Sequence, residues 1–168
     1  MKQIDIAKFS ARYSVRQLDI NDTNMIYKLC LENVQYYEYS KKELSMDLIE
    51  QDLKITPPNI PLQQKYFVGF FDDNNMVAVM DLIDGYPDDS YAYIGFFMMR
   101  HSMQGAGIGS EIITEVLKYL HQQGFKRCRL GIDKYNPQSY HFWTKNGFII
   151  TREIKTDDGV FLVAEKQL

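Results

Sequence analysis

The run Gln104-Gly105-Ala106-Gly107-Ile108-Gly109-Ser110 constrains this chain more than any other stretch. It follows an apolar, aromatic segment, Tyr91 to Met99, and precedes an amphipathic one from Ser110 to Gln123. A strand, then glycines, then the start of a helix forms a cradle for an anion. Glycine has no Cβ, so main-chain N–H groups can converge on a point that side chains would otherwise fill. The helix adds first-turn amides without intrahelical partners and the positive end of its dipole. The expected guest is a phosphate or a pyrophosphate.

Bulk properties narrow the field. The 168 residues fit one domain spanning 1–168, and 45% apolar content supplies a core. A net charge of -3 argues against a nucleic-acid partner held by general positive charge. No apolar run approaches the roughly 20 residues of a membrane span, so no membrane partner is expected. Met1 to Ile6 contains an early acid and no long apolar stretch, unlike a secretory signal. Cys30 and Cys128 sit in apolar patterns without metal-ligand spacing, which reads as buried reduced thiols and a cytoplasmic protein. His101, His121 and His141 share no metal spacing, and no metal is expected.

Hydrophobic periodicity gives the order of elements. Tyr13–Leu18 alternates as a first strand, and Asn21–Tyr36 has helical spacing through Met25, Leu29 and Val34. A second helix is expected from about Lys41 to Lys54, stopped by Thr56-Pro57-Pro58. Tyr66–Phe71, Met76–Ile83 and Tyr91–Met99 form a meander, with a turn at Asp72–Asn75 and a longer loop at Asp84–Asp89. The loop helix then buries a stripe through Ile112, Val116 and Leu120 and ends at Gly124. A strand from Lys126 to Asp133 precedes a helix capped by Asn136-Pro137 and ending at Asn146-Gly147. Phe148–Ile154 and Val160–Glu165 close the chain as a strand pair. The predicted fold is α/β: a mixed, mostly antiparallel sheet of about seven strands flanked by helices, in the order β-α-α-β-β-β-α-β-α-β-β.

The glycine loop admits several readings. A P-loop requires a Lys after its last glycine, and none follows here. A dinucleotide fingerprint counted from Gly105 and Gly107 meets Ser110 at its third place, where Gly or Ala is expected. Asp133 lies at a workable distance for a ribose carboxylate, so a nicotinamide-dependent oxidoreductase stays open. Against it, the preceding strand closes an antiparallel meander rather than opening a parallel unit. The glycines could also form a tight turn with no guest.

Two motifs carry a family resemblance. Gln104-x-x-Gly107-x-Gly109 resembles the Gln/Arg-x-x-Gly-x-Gly/Ala signature of the GNAT N-acetyltransferases. Asn136-Pro137-Gln138-Ser139, followed by Phe142-Trp143-Thr144-Lys145-Asn146-Gly147-Phe148, resembles that family's second helix motif. The resemblance runs from about Tyr13 to the C-terminus. It implies acetyl-CoA as co-substrate. The pyrophosphate would lie on the main chain of Gln104, Gly105, Ala106, Gly107, Ile108, Gly109 and Ser110. Phe97, Met98 and Met99 would pair with pantetheine as an added strand, and an amide near Met98 would polarise the thioester carbonyl. Asn136 would contact the cofactor, cap its helix, or both, and Trp143 would line the cofactor site or pack the core under the last helix. Gly95 reads as a strand bulge or a packing glycine.

The family implies transfer of an acetyl group to an amine, with a base for the amine and an acid for the thiolate. The acid is often a Tyr at the place of Trp143, and indole cannot serve. Tyr140 is the nearby replacement. Some relatives carry a Glu where this chain has Gly131, which leaves Asp81, Glu38 or a water relay as candidate base. Relatives build the acceptor pocket from their first helices and from loops at the open end of the sheet. Here Tyr36, Tyr37, Glu38 and Tyr39, with Tyr86, Asp84, Asp88 and Asp89 from the meander loop, suit a cationic amine. The acceptor reads as a small amine, with a peptide amine as the alternative. The same tyrosines and aspartates also read as core and turn residues. A CoA-binding module without turnover remains open, and a homodimer is compatible with the family.

Overall fold

A computed structural model describes residues 2–168; Met1 of the N-terminal segment lies outside the described residues. Among them, seven strands form one sheet in the order β1-β2-β3-β4-β5-β7-β6. The strands are β1 (Ser14–Gln17), β2 (Lys65–Asp72), β3 (Asn75–Asp84), β4 (Tyr91–Met99), β5 (Arg127–Asp133), β6 (Ile149–Thr156) and β7 (Gly159–Gln167). Every pairing is antiparallel except β4 with β5. The mixed, mostly antiparallel architecture expected from the pattern is therefore the one observed.

The helices are α1 (Thr23–Leu31), α2 (Val34–Ser40), α3 (Met46–Asp52), α4 (Ile108–Gln122) and α5 (Pro137–Lys145). The single helix expected over Asn21–Tyr36 breaks after Leu31, and α2 carries the tyrosine cluster as a separate element. Asn33 makes the break. Its Nδ2 donates to Leu29 O and Met99 O, both at 3.1 Å, and its Oδ1 accepts from Gln104 Nε2 at 2.7 Å. An amide that bonds its own backbone and a distant strand competes with continued helix. Further on, Lys41 turns left-handed (φ 55°) and Ser45 caps α3 through Leu48 N, so the expected Lys41–Lys54 helix is shortened at both ends.

Two apolar clusters cover the two faces of the sheet. One joins Phe70, Met80, Leu82 and Ile94 to the α4 stripe of Ile112, Val116 and Leu120. The other joins Phe67, Val79 and Met98 to Ile26 and Leu29 of α1 and Ile49 of α3. Cys30 and Cys128 are buried free thiols, and burial raises the pKa of each.

The sheet's key irregularity lies at its centre. β4 pairs with β5 over only four residues, Tyr91 to Ile94 against Arg127 to Leu130. Beyond that point β5 continues along β7 to Asp133, while β4 continues along β3 to Met99. The two strands part, leaving a gap lined by Gly95–Met99 on one side. A bulge accompanies the divergence: Asp81 opposes Phe96 and Leu82 opposes Ile94, so Gly95 is the extra residue. The bulge reading of Gly95 is the one realised.

Asn33 ties three elements together at the end of that gap. Asn33→Ala should lower the unfolding free energy by about 1–3 kcal/mol, since it leaves one N–H of the Gln104 amide without its acceptor and Met99 O one donor short. The shift of the urea midpoint measures it; no shift would show that these bonds carry little of the local stability.

Candidate active site

Two cavities meet at the splayed strands. The first, of about 350 Å³, is lined by Phe97, Met98 and Met99 of β4, by Gln104, Gly105, Gly107, Gly109 and Ser110, and by Asn136, Phe142, Trp143 and Lys145. The second, of about 630 Å³, is lined by Asp52, Asp81, Tyr86, Tyr93, Gly95 and Gly131 among others. Tyr36, Asn136 and Ser139 line both and form the boundary between them.

The glycine loop has the geometry of an anion cradle. Gly105 and Gly107 are left-handed (φ 80° and 81°), and a Cβ on either would meet no protein atom within 4 Å. Space beside these residues is therefore open rather than sealed by neighbours. Gly107 caps α4 without a side-chain hydrogen bond, and the helical ladder begins with Glu111 N to Gly107 O at 3.0 Å. The amides of Ile108, Gly109 and Ser110 precede that bond. Gly109 is glycine for another reason: a Cβ there would lie 3.2 Å from Phe142. Ala106 is exposed and Ile108 half-buried, and neither lines the cavity.

The side chain of Gln104 is taken up by protein hydrogen bonds. It donates to Asn33 and to Met99 O (3.1 Å) and accepts from Gln138, so it latches the loop to β4. Asn136 is 3% exposed and caps α5 by accepting from Ser139 N at 3.0 Å while lining both cavities. Capping and lining thus occur together. Trp143 packs edge-on against Phe97, Phe142 and Phe148, and Phe142 stacks on Phe97. This aromatic wall forms the apolar side of the cleft. Lys145 and His141 add exposed cationic or polar groups to the same cleft, a feature the motif reading passed over.

The second cavity holds the buried charge. Asp81 is 9% exposed, and its Oδ2 accepts from Lys65 Nζ at 2.6 Å. Its Oδ1 is buried without a partner. Burial pushes the Asp81 carboxyl up to about 6, against the opposing pull of Lys65. A Cβ on Gly95 would come within 2.8 Å of Asp81 Oδ2, so the bulge glycine makes room for the carboxylate. Asp52 of α3 is likewise pushed up by burial, as is the Tyr93 phenol. Tyr93 packs edge-on against Tyr86 (5.3 Å), and Tyr36 packs edge-on against Tyr37 (5.1 Å) and Phe96 (5.7 Å). At Gly131 a Cβ would meet only the Tyr93 hydroxyl, at 3.8 Å.

The candidate residues separate accordingly. Tyr36, Tyr37, Tyr86 and Asp81 come together in the second cavity. Glu38 and Tyr140 are exposed and, with Tyr39, line neither cavity; Tyr39 accepts from Gln35 instead. Helix α2 buries Tyr37, which turns Glu38 outward, and Tyr140 projects to solvent from α5. Asp84 accepts from Lys2 N, and Asp88 accepts from Ser90, so these two are structural. Lys65, Asp52, Tyr93 and Ser139 were missed. Lys65 and Tyr93 read as ordinary strand residues until strand register brings them beside Asp81.

Comparison with known proteins gives the family. The acetyltransferase (GNAT) family model matches residues 26–148, and the chain belongs to this family. It is an acetyltransferase that takes its acetyl group from acetyl-CoA. No curated protein matches it in sequence. Among solved structures, an acetyltransferase from Thermus thermophilus superposes with a TM-score of 0.74 at 19% identity, covering 93% of this chain and 97% of that one. The PaiA N-acetyltransferase of Thermoplasma acidophilum, solved with coenzyme A, gives 0.66 at 20% identity, covering 93% and 99%. A Salmonella typhimurium acetyl transferase that modifies the N-terminal serine of a ribosomal subunit protein gives 0.73 at 18% identity, covering 98% and 99%. These three share the fold.

The cradle admits a direct test. Gly107→Glu places a carboxylate where the anion belongs, in a backbone conformation that L-residues disfavour by about 1 kcal/mol. CoA at a hundredfold over its dissociation constant should raise wild-type stability by about 2.7 kcal/mol, and this gain should vanish in the variant while the fold persists. Normal stabilisation of Gly107→Glu by CoA would overturn the assignment.

Proposed function

We propose that this protein acetylates a small cationic amine held in the second cavity, with Asp81 as the base. The supporting observation is the buried Asp81 carboxylate, bounded by tyrosines and set beside the gap between β4 and β5. Residues Phe97 to Met99 and the loop from Gln104 to Ser110 would hold acetyl-CoA in the first cavity. When bound, it supplies a thioester whose carbonyl carbon the amine attacks, with the CoA thiolate leaving.

The chain's own groups perform the rest. Tyrosine faces and carboxylates attract an ammonium as it enters. Tyr36, on the boundary, orders the acceptor; burial raises its pKa, which makes it a poor proton source for sulfur. Asp81 takes the proton that the amine must lose, directly or through one water. A thiol pKa near 8.5 makes thiolate an adequate leaving group without a dedicated acid, and Trp143 is then no obstacle.

Tyrosine faces and carboxylates lining the second cavity favour the small cationic acceptor over a peptide. The lining also includes Thr56, Pro57 and Pro58, and Arg152, Ile154 and Phe161 of the last hairpin. A panel of polyamines, aminoglycosides, amino acids and peptides, assayed by release of free CoA thiol, separates the readings. Turnover on peptides alone would reject the small-amine acceptor, and thiol release with none of them would favour a non-catalytic CoA-binding module.

Asp81→Asn should lower kcat by about 10²–10⁴-fold, the usual worth of a positioned base. Because the carboxylate titrates at about 6, wild-type kcat/KM should carry an acidic limb there. Activity falls as the pH drops through that value, by about tenfold per pH unit, as the base gains its proton. Loss of this limb in Asp81→Asn is the expected result; wild-type turnover in that variant would remove Asp81 from the mechanism.

A further inference from the structure

We propose that Lys65 is a positioning residue for the reaction: its ammonium fixes the Asp81 carboxylate at the mouth of the strand gap and keeps it ionised at neutral pH. The inference rests on Asp81 serving as the base, and adds a second residue through which that base is set.

Strand register creates the pair. Lys65 opposes Ile83 and Asp81 opposes Phe67, so the two charged side chains share a face and stand diagonally across β2 and β3. Both are buried, at 5% and 9% exposure. The 2.6 Å bond from Nζ to Oδ2 is the hydrogen bond Lys65 makes through its side chain, and its ammonium also lies 5.4 Å from the Phe67 ring. That bond pairs the buried ammonium directly with Asp81, while its action on Asp52 is at longer range. Unopposed burial would keep Asp81 protonated, since a carboxylate in an apolar face holds its proton well above the usual range.

Three ionisable groups act on Asp81 from the elements around it: Lys65 of β2, Asp52 of α3 and Tyr93 of β4. Asp52 is an acid and Tyr93 is neutral at working pH, so Lys65 alone favours the charged carboxylate. Asp52 is itself offset by Lys42 and then by Lys65. Gly95 completes the arrangement, because any side chain there would displace Oδ2.

The experiment compares Lys65→Met and Lys65→Gln, the second retaining an N–H for Oδ2 without the charge, with Lys65→Arg. In both uncharged variants the acidic limb of kcat/KM should move up by about one pH unit or more, and Lys65→Arg should return it to near the wild-type position. ¹³C NMR titration of the Asp81 carboxyl should show the same displacement without reference to turnover. CoA binding should be unaltered, since Lys65 does not line the first cavity. An unchanged carboxyl titration in Lys65→Gln would overturn the proposal and leave Lys65 a structural residue. If the titration moves but Asp81→Asn keeps the wild-type pH profile, Asp81 is not the base and the kinetic role of Lys65 falls with it.

Discussion

The short pairing between β4 and β5 is the constraint on which the site depends. Four residues of parallel ladder hold the two halves of the sheet together, and the divergence beyond them frees main-chain groups of β4. A sheet interior normally leaves no such groups unpaired. Here the extra residue at Gly95 lets β4 stay in register with β3 while it turns away from β5. The same divergence opens the two cavities proposed for acetyl-CoA and for the acceptor, with Tyr36, Asn136 and Ser139 between them.

Electrostatics divide the labour between the two cavities. The first offers main-chain amides and a helix start to the proposed pyrophosphate, donors that need no charged side chain to act. The second sets the Asp81 carboxyl in an apolar face, where a charge is costly unless paired, and places the Lys65 ammonium beside it. The buried Asp81–Lys65 pair sits at the strand divergence, and the remainder of the sheet is closed by ordinary apolar packing.

Much of this was legible in the sequence. The two glycine-bearing motifs identified the family and the cofactor, and Tyr91–Met99 was delimited to the residue because turn residues bound it. The fold class followed from periodicity alone. The break at Asn33 was not legible, because helical spacing continues through Val34 and only contacts to Met99 and Gln104 explain the interruption. Lys65 was overlooked for a related reason. Its partner lies sixteen positions away, and a one-residue change of register would have turned it to the opposite face. Glu38 and Tyr140 were attractive by residue type alone, and the helices that carry them point both side chains outward.

Amide hydrogen exchange with and without acetyl-CoA tests the account most directly. Pairing of the ligand with the free edge of β4, and of its pyrophosphate with the glycine loop, should slow exchange within residues 95–99 and 105–110. The edge strands β1 and β6 should be unaffected. Protection confined to other segments, with residues 95–99 exchanging as in the free protein, would contradict it.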